Sequence, residues 1–291
     1  MLAKALKHDM KAIWRFWWII AVSVCGLSVV SSVVLRFVIS NIDREAGLIF
    51  NIIIAVAMLF SVISIAAIVV SPAATSIIVY LRFYKNFFTD EGYLTFTLPV
   101  SRAKLFLSKT INALIWNALH IAVLIGCFFI FILIGIPTDH GAIVNYNFFG
   151  ELFELFRVIF DGAPFEAYLW VALYVIEYII LIAVSAFLFV NLVHLCITIG
   201  AIVAKKGKVI VAIGIYYLVN VVFSTVVAII GNLFIISLAG GFVQLLENAS
   251  TYIILSIIAV IVFMIIVAVA GIGMMLYLVT LDKLERRLNL A

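Results

Sequence analysis

The chain has 291 residues, of which 67% are hydrophobic and 11% are charged, and its mean hydropathy is +1.36. Soluble domains are only about half apolar, so this composition excludes a soluble protein and indicates an integral membrane protein. The length favours several transmembrane helices in one domain over two soluble domains. We therefore expect residues 1–291 to form a single all-α, polytopic membrane domain.

Residues 1–16 combine apolar positions at three- and four-residue steps with a basic opposite face. This pattern predicts an amphipathic helix that lies on the anionic cytoplasmic leaflet of the membrane. Its basic and interfacial residues are Lys4, Lys7, Lys11, Trp14 and Arg15. A signal peptide is disfavoured, because the basic region is long and no small-residue cleavage site follows a short apolar core.

Six apolar runs follow. Each has about 20 residues or more, the length that crosses roughly 30 Å of hydrocarbon at about 1.5 Å per residue. The runs cover residues 17–39, 49–81, 105–134, 168–203, 209–239 and 252–281. Six spans place both termini on the same side of the membrane. Pro72 lies inside the second span, where a proline predicts a kink.

Lysine and arginine are distributed unevenly between the two sides of this topology. Of the 18 Lys and Arg residues, Arg36, Arg44 and Arg157 fall on the proposed outer side. The others fall at the termini, in the connections after the second and fourth spans, or, for Lys109, near the inner start of the third span. Because positively charged loops stay in the cytoplasm, both termini and residues 82–104 are predicted to be cytoplasmic.

Residues 136–167 form the predicted outer loop, and turn-forming residues open and close it. Within it, Glu151, Glu154 and Arg157 recur every third residue among apolar residues. This spacing suggests a short helix that lies on the outer membrane surface or caps the bundle. A structural lid and a substrate gate both remain open as its role.

Residues 82–104 are a long polar interruption between two apolar spans. An acidic and glycine-containing step at residues 90–92 breaks the helical pattern. Pro99 and Ser101 are typical of a helix start, since proline needs no amide hydrogen and serine accepts from an orphan amide. We expect a short amphipathic helix at about residues 84–96, a break at Pro99 and a new helix from near Ser101.

Two runs in this segment carry a family resemblance, Glu91-Gly92-Tyr93-Leu94-Thr95 and Thr97-Leu98-Pro99-Val100-Ser101-Arg102. Together with the basic N-terminal helix, the six spans and the long first cytoplasmic loop, they resemble the permease subunits of bacterial ABC type-2 transporters. The resemblance implies a membrane subunit that dimerises with itself or a sister chain and binds two cytoplasmic ATPase subunits. It also implies that residues 1–16 are the connecting helix and that residues 82–104 contain the coupling helix.

The resemblance assigns ATPase docking to Tyr84, Lys85, Asp90, Glu91, Gly92, Tyr93, Leu94 and Pro99. A rigid helix held between two spans can transmit a push from ATP-driven closure, and mixed charge gives register to a polar interface. The alternative is a solvated loop that carries only the positive charge of the cytoplasmic side.

Sequence motifs for chemistry are absent from the chain. No Gly-x-x-x-x-Gly-Lys-Ser/Thr phosphate loop occurs, so ATP and Mg²⁺ are expected on the partner ATPase and no cofactor is expected here. The four histidines are dispersed, and no catalytic residue or metal ligand is predicted. The chain is therefore expected to be a transport subunit and not an enzyme.

Glu177 lies deep inside a span, where ionisation is costly unless the carboxylate is paired or faces water. Arg36, near the outer end of the first span, is a possible partner, and a hydrogen-bonded or protonated Glu177 is the alternative. A plausible polar lining for a transport path consists of Asn51, Ser61, Ser64, Asn220, Ser224 and Thr225. Polar residues inside a helix bundle are more often structural.

The expected function is the permease subunit of an ATP-driven exporter in the bacterial plasma membrane. The bundle lacks a charged site for an ion or a sugar, which favours a hydrophobic, amphipathic or peptide-like substrate such as an antimicrobial. Expected partners are the ATPase subunits, a second permease chain and membrane lipid, with no nucleic acid. Two other functions stay open: an ion-coupled secondary transporter that uses Glu177, and a membrane scaffold or sensor that recruits a partner through the same loop.

Overall fold

The computed structural model describes residues 2–41, 47–92, 97, 100–135, 150–151, 153–154, 157, 165–204, 206–237 and 251–286. In these residues all regular structure is helical and no strand occurs. The long helices are α1 (Leu2–Asn41), α2 (Leu48–Phe88), α3 (Arg102–Ile130, followed by a π-helical turn at Phe131–Gly135), α4 (Phe165–Val203), α5 (Lys208–Ser237) and α6 (Thr251–Arg286). Within the described residues, six helices are long and apolar enough to cross a membrane. This confirms the predicted all-α fold with six helices of membrane-spanning length.

α1 joins two segments that the sequence suggested as separate helices. It runs without a break for 40 residues, or about 60 Å at 1.5 Å per residue. Its buried side is lined at three- and four-residue steps by Ile13, Trp17, Ala21 and Val24. The predicted connecting-helix residues Lys4, Lys7, Lys11, Trp14 and Arg15 are all exposed. Contact between this part of α1 and a membrane surface stays a prediction.

The chain divides into two compact units. Unit 1 comprises residues 3–81 and 111–163, and unit 2 comprises residues 82–110 and 164–291. Unit 1 therefore contains α1, most of α2 and most of α3, whereas unit 2 contains the end of α2, the start of α3 and helices α4 to α6. The prediction of one transmembrane domain is not tested by this division.

In unit 1, a small apolar cluster takes one residue from each helix: Val24 of α1, Ile68 of α2 and Cys127 of α3. Cys127 is a free thiol and is buried, as expected of a small apolar residue. Nearer the start of α3, the fully buried Trp116 packs on Trp17 of α1 with ring centroids 5.1 Å apart. Contacts of this kind hold the three helices of unit 1 together.

A polar contact links α2 to α3 next to Pro72, which lies inside α2. Proline has no N–H to donate to the Ile68 carbonyl, and Ser71 Oγ lies 2.7 Å from that carbonyl oxygen. His120 Nε2 lies 2.9 Å from Ser71 Oγ, and His120 Nδ1 lies 2.9 Å from Thr75 Oγ1. All three side chains are buried. We call Ser71, Thr75 and His120 the His120 junction.

In unit 2, α4 packs against both α5 and α6. A Cβ atom at Gly200 of α4 would lie 2.7 Å from the backbone nitrogen of Ala212 in α5, so this close crossing requires glycine. Toward the other end of α4, Tyr174 Oη donates to the Leu255 carbonyl of α6 at 2.7 Å. The connection from α4 to α5 contains Gly207 with φ of +69°, in the left-handed region that favours glycine. α4 is therefore the helix that holds α5 and α6 in unit 2.

Candidate functional site

The end of α2, the start of α3 and the end of α6 meet in one aromatic cluster of unit 2. Its buried members are Phe83, Phe87, Leu105, Phe106 and Leu284. Phe83 and Phe87 lie one turn apart on the same face of α2, with ring centroids 5.1 Å apart. Phe83 also lies 6.1 Å from Phe106 of α3. The helix ends on both sides of the connection between α2 and α3 therefore pack in this cluster.

α4 adds a buried histidine to this aromatic cluster. His194 is fully buried, stacks on Phe83 with a centroid distance of 4.1 Å, and meets Phe106 edge-on at 5.6 Å. Tyr277 of α6 stacks on the same Phe106 ring at 4.8 Å. Aromatic pairs in such geometries contribute about 0.5–1.5 kcal/mol beyond the burial of their area. Helices α2, α3, α4 and α6 thus share one aromatic core.

Asn86 joins the end of α2 to α3 through polar contacts. In the orientation that satisfies both neighbours, its amide donates from Nδ2 to Glu91 Oε2 (3.1 Å) and accepts at Oδ1 from Lys109 Nζ (2.5 Å). Asn86 and Lys109 are each only 8% exposed. Because a buried ammonium requires acceptors, Lys109 orients the amide, and the amide in turn orients Glu91. We call Asn86, Glu91 and Lys109 the Asn86 junction.

The chain folds back on α2 immediately after the helix ends at Phe88. Thr89 Oγ1 donates to the Lys85 carbonyl (2.6 Å), and the Gly92 amide donates to the Thr89 carbonyl (2.7 Å). A Cβ atom at Gly92 would lie 2.9 Å from the Phe87 carbonyl oxygen, so the close approach requires glycine. Residues 89–92 therefore form a bend at Thr89 followed by three helical residues, and we call this segment the α2 turn.

The predicted docking residues have different exposures around the α2 turn. Lys85, Asp90 and Glu91 are exposed. Tyr84 is half-buried and stacks on Phe88 with ring centroids 6.0 Å apart, whereas Gly92 is buried. The remaining predicted residues, Tyr93, Leu94 and Pro99, lie outside the residues that the structure describes. The exposed surface of the turn therefore presents one cation and two carboxylates.

The helix expected at about residues 84–96 does not begin as a separate element near residue 84. Residues 90–92 are helical after a bend at Thr89, and residues 93–96 lie outside the residues that the structure describes. Residues 84–88 are the last part of α2, which continues beyond the apolar run. No glycine or proline occurs between Pro72 and Gly92, and the buried Phe83 and Phe87 extend the helical spacing of the buried face. The polar residues of this stretch therefore lie on a helix that is anchored on one side.

The predicted start of the next helix is confirmed. α3 begins at Arg102, directly after Ser101. The amide of Leu105 donates to the Ser101 carbonyl at 3.1 Å, which places Ser101 at the N-cap position.

The path residues predicted in the second span lie in unit 1. Ser61 and Ser64 are each 2% exposed, on the buried side of α2, whereas Asn51 is exposed. Ser61 Oγ donates to the Ala57 carbonyl of its own helix at 2.9 Å. Such bonding serves helix structure as readily as a transport path.

The path residues predicted in the fifth span lie in unit 2. Asn220 is half-buried, and Ser224 and Thr225 are exposed. Asn220 donates to the Tyr216 carbonyl, and both hydroxyls donate to the Val221 carbonyl, all within α5. A path role for these residues stays a prediction.

Glu177 and Arg36, the predicted intramembrane pair, belong to different units. Glu177 of α4 is half-buried, and its Oε2 atom is buried without a hydrogen-bond partner among the described residues. Arg36 is half-buried near the end of α1. The pairing of the two side chains is not tested by the structure.

The two buried histidines have different neighbours. The described contacts of His120 are with hydroxyls, and those of His194 are with aromatic rings. Across the part of the chain that the structure describes, no three His, Cys, Asp or Glu side chains come together as a group that could hold a metal ion.

Part of the predicted outer loop is described. Residues 150–151, 153–154 and 157 are helical, and Arg157 Nη1 lies 3.7 Å from Glu154 Oε1 with both side chains exposed. These residues fit the expected short helix. The rest of residues 136–164 lies outside the description, so the choice between a lid and a gate stays open.

Asn86 and Lys109 are not among the site residues that the sequence suggests. Each has a local signal: Asn86 lies within the turn between Phe83 and Phe87, and Lys109 is a single cation within the first turns of an apolar helix. Their partnership has no sequence signal, because the two residues lie on different helices with no periodic relation between them. Their contact follows only from the way α2 and α3 pack against each other.

Comparisons with protein-family models, with curated proteins and with solved structures give no match for this chain. The resemblance to ABC type-2 permeases therefore rests on the residues of the chain and stays a prediction.

Proposed function

We infer that the chain is the permease subunit of an ATP-driven exporter and that a separate ATPase subunit docks on the α2 turn. The observation that carries this inference is the Asn86 junction, in which two buried side chains, Asn86 and Lys109, orient the exposed carboxylate of Glu91. A loop that only carried positive charge would need no such support. The six helices of membrane-spanning length agree with a permease.

The packing beneath the α2 turn supports a mechanical role. A push on the turn acts on Phe87 and Asn86, which lie against α3, and the aromatic cluster continues the contact to α4 and α6. Close-packed interiors transmit displacement because they have little free volume. Movement of a partner at the turn would therefore reach four helices of unit 2 together.

In this proposal the partner ATPase binds ATP and Mg²⁺, and the present chain provides the membrane path. The topology follows the distribution of lysine and arginine, with both termini and the α2 turn in the cytoplasm and the chain in the bacterial plasma membrane. A second permease chain, identical or related, completes the transporter. The apolar bundle favours export of a hydrophobic, amphipathic or peptide-like molecule.

The test is co-purification of the tagged chain from its native membrane in mild detergent, followed by a vanadate-sensitive ATPase assay. Glu91→Arg reverses the charge at the α2 turn, and Glu154→Arg, the control, reverses another exposed carboxylate, which lies in the predicted outer segment. We expect the unmodified chain and the Glu154 variant to recover an ATPase, and the Glu91 variant to recover at least tenfold less. If the unmodified chain recovers no nucleotide-hydrolysing partner, the proposed function is wrong.

A second candidate function is ion-coupled transport that uses Glu177. The buried, unpartnered Oε2 atom in the described part of α4 favours it, because an intramembrane carboxylate is a common ion or proton site. In inverted vesicles, this function predicts uptake that depends on the membrane potential or the pH gradient and is lost in Glu177→Gln. Uptake that needs ATP and survives Glu177→Gln would favour the exporter.

A further inference from the structure

The last turn of α6 lies against the aromatic cluster that supports the α2 turn. Leu284 is fully buried in that cluster. Its neighbours in the chain, Glu285 and Arg286, are exposed. The end of α6 is thus anchored on one side by an apolar residue and presents charges on the other.

Arg102 caps this last turn from a different helix. The final carbonyls of a helix have no amide partner within it, and α6 ends at Arg286. Arg102, the first residue of α3, donates from Nη1 to the Leu284 carbonyl (2.8 Å) and to the Glu285 carbonyl (2.9 Å). Its positive charge also lies at the negative end of the α6 dipole. The end of α6 is therefore fixed to the same connection that carries the α2 turn.

The α2 turn and the last turn of α6 both carry positive and negative side chains. The α2 turn and its helix end present Lys85, Asp90 and Glu91. The last turn of α6 presents the exposed Glu285 and Arg286 and the half-buried Asp282 and Lys283. On α6, Arg286 Nε pairs with Asp282 Oδ1 at 2.6 Å, which leaves Glu285 as a further exposed carboxylate. An anionic lipid surface attracts clusters of cations and repels carboxylates, whereas a protein surface can match both signs.

We propose that the last turn of α6 is the second half of the docking surface, that Arg102 holds the two halves together, and that one partner ATPase contacts both. The inference rests on the proposed docking at the α2 turn. It adds the final transmembrane helix to the surface that receives the push, although α6 is far from the α2 turn in the sequence. Arg102 is a positioning residue in this arrangement.

The first test uses Glu285→Lys in the full-length tagged chain. A cation near a helix C-terminus is favourable, so the change leaves α6 at least as stable as before, and a loss of the partner cannot be attributed to unfolding. We expect about tenfold less recovered ATPase per chain, a loss similar to that caused by Glu91→Arg. Glu154→Lys, a reversal of an exposed carboxylate in the predicted outer segment, is expected to recover the normal amount.

The outcomes separate this inference from the proposed function. Loss of the ATPase in both Glu91→Arg and Glu285→Lys supports the two-part surface. Loss in Glu91→Arg with normal recovery in Glu285→Lys overturns the two-part surface and leaves docking at the α2 turn intact. Absence of an ATPase from the unmodified chain overturns both.

The second test concerns the positioning role of Arg102. Arg102→Gln removes the cap, and we expect amide exchange in residues 280–286 to rise about tenfold and the recovered ATPase to fall with it. Lys104→Gln removes an exposed charge from the same turn of α3 and is expected to change neither quantity. Arg102→Lys, which keeps the charge at the end of α6, is expected to restore part of the recovery. Faster exchange with unchanged recovery in Arg102→Gln would make Arg102 a helix cap only and overturn its positioning role.

Discussion

Two of the polar contacts that join α2 to α3 differ in their chemistry. The His120 junction combines an imidazole with two hydroxyls, whereas the Asn86 junction combines an ammonium, an amide and a carboxylate. Full charges are costly in hydrocarbon, whereas hydroxyl contacts between helices are tolerated there. The His120 junction therefore suits the interior of a span, and the Asn86 junction suits a helix end near water. In α2, the His120 junction therefore holds the helix against α3, and the Asn86 junction lies where a partner can reach it.

The largest effect is expected when the Asn86 junction is broken on one side. Asn86→Leu removes the amide oxygen that accepts from the buried Lys109 ammonium, and we expect a loss of about 3 kcal/mol in the free energy of unfolding, measured in mixed micelles. The double variant Asn86→Leu with Lys109→Leu removes the ammonium as well, and it should regain more than half of that loss. A double variant as unstable as the sum of the two single variants would contradict the junction.

A smaller effect is expected at Gly92 in the α2 turn. Gly92→Ala places a Cβ atom against the Phe87 carbonyl oxygen, and the strain should destabilise the turn by about 1–2 kcal/mol. The measurement is amide exchange of residues 89–92, which should become faster. Gly26→Ala in α1 is the matched control, because nothing lies within 4 Å of its added Cβ atom and alanine favours the helix. Equal effects at Gly92 and Gly26 would show that the turn does not need glycine.

The His120 junction should contribute less than the Asn86 junction. His120→Leu removes two interhelical hydrogen bonds, each contributing about 0.6 kcal/mol on average in a membrane, so we expect a loss of about 1 kcal/mol in mixed micelles. His120→Gln keeps one donor and one acceptor and should restore most of the loss. Equal stability of the Leu and Gln variants would mean that packing, and not hydrogen bonding, holds α2 to α3 here.

The smallest effect is expected for hydroxyls outside the two junctions. Ser224 is exposed on α5 and donates only to the Val221 carbonyl of its own helix among the described contacts, so Ser224→Ala should change the free energy of unfolding by less than about 0.5 kcal/mol. The same mixed-micelle titration measures it. A change larger than 1 kcal/mol would show that Ser224 has a further contact and would weaken the contrast between the junctions and the rest of the polar residues.

The helices could be predicted because the membrane leaves few choices for an apolar chain. Backbone groups in hydrocarbon must be satisfied within the segment, so long apolar runs become helices. The start of α3 could also be predicted, since Ser101 acts locally as an N-cap. These features depend on residues that are close together in the sequence.

The end of α2 and the candidate site could be predicted only in part. The polar composition of the connection suggested a separate short helix at about residues 84–96, but the spacing of Phe83 and Phe87 continues α2 to Phe88. The contacts that shape the site join distant residues, such as Asn86 with Lys109 and Arg102 with the Leu284 carbonyl. No periodicity relates these partners, so their pairing follows only from the packing of whole helices.

The missing N–H of Pro72 decides where His120 carries its hydrogen. Ser71 has one hydroxyl hydrogen, and the Ile68 carbonyl that the proline leaves without a helical donor receives it. Ser71 Oγ then accepts from His120, so Nε2 holds the ring hydrogen and Nδ1 accepts from the Thr75 hydroxyl. The donors therefore follow one order, from Thr75 to His120, from His120 to Ser71, and from Ser71 to the Ile68 carbonyl. The amide hydrogen that Pro72 lacks in α2 thus sets the tautomer of His120 in α3.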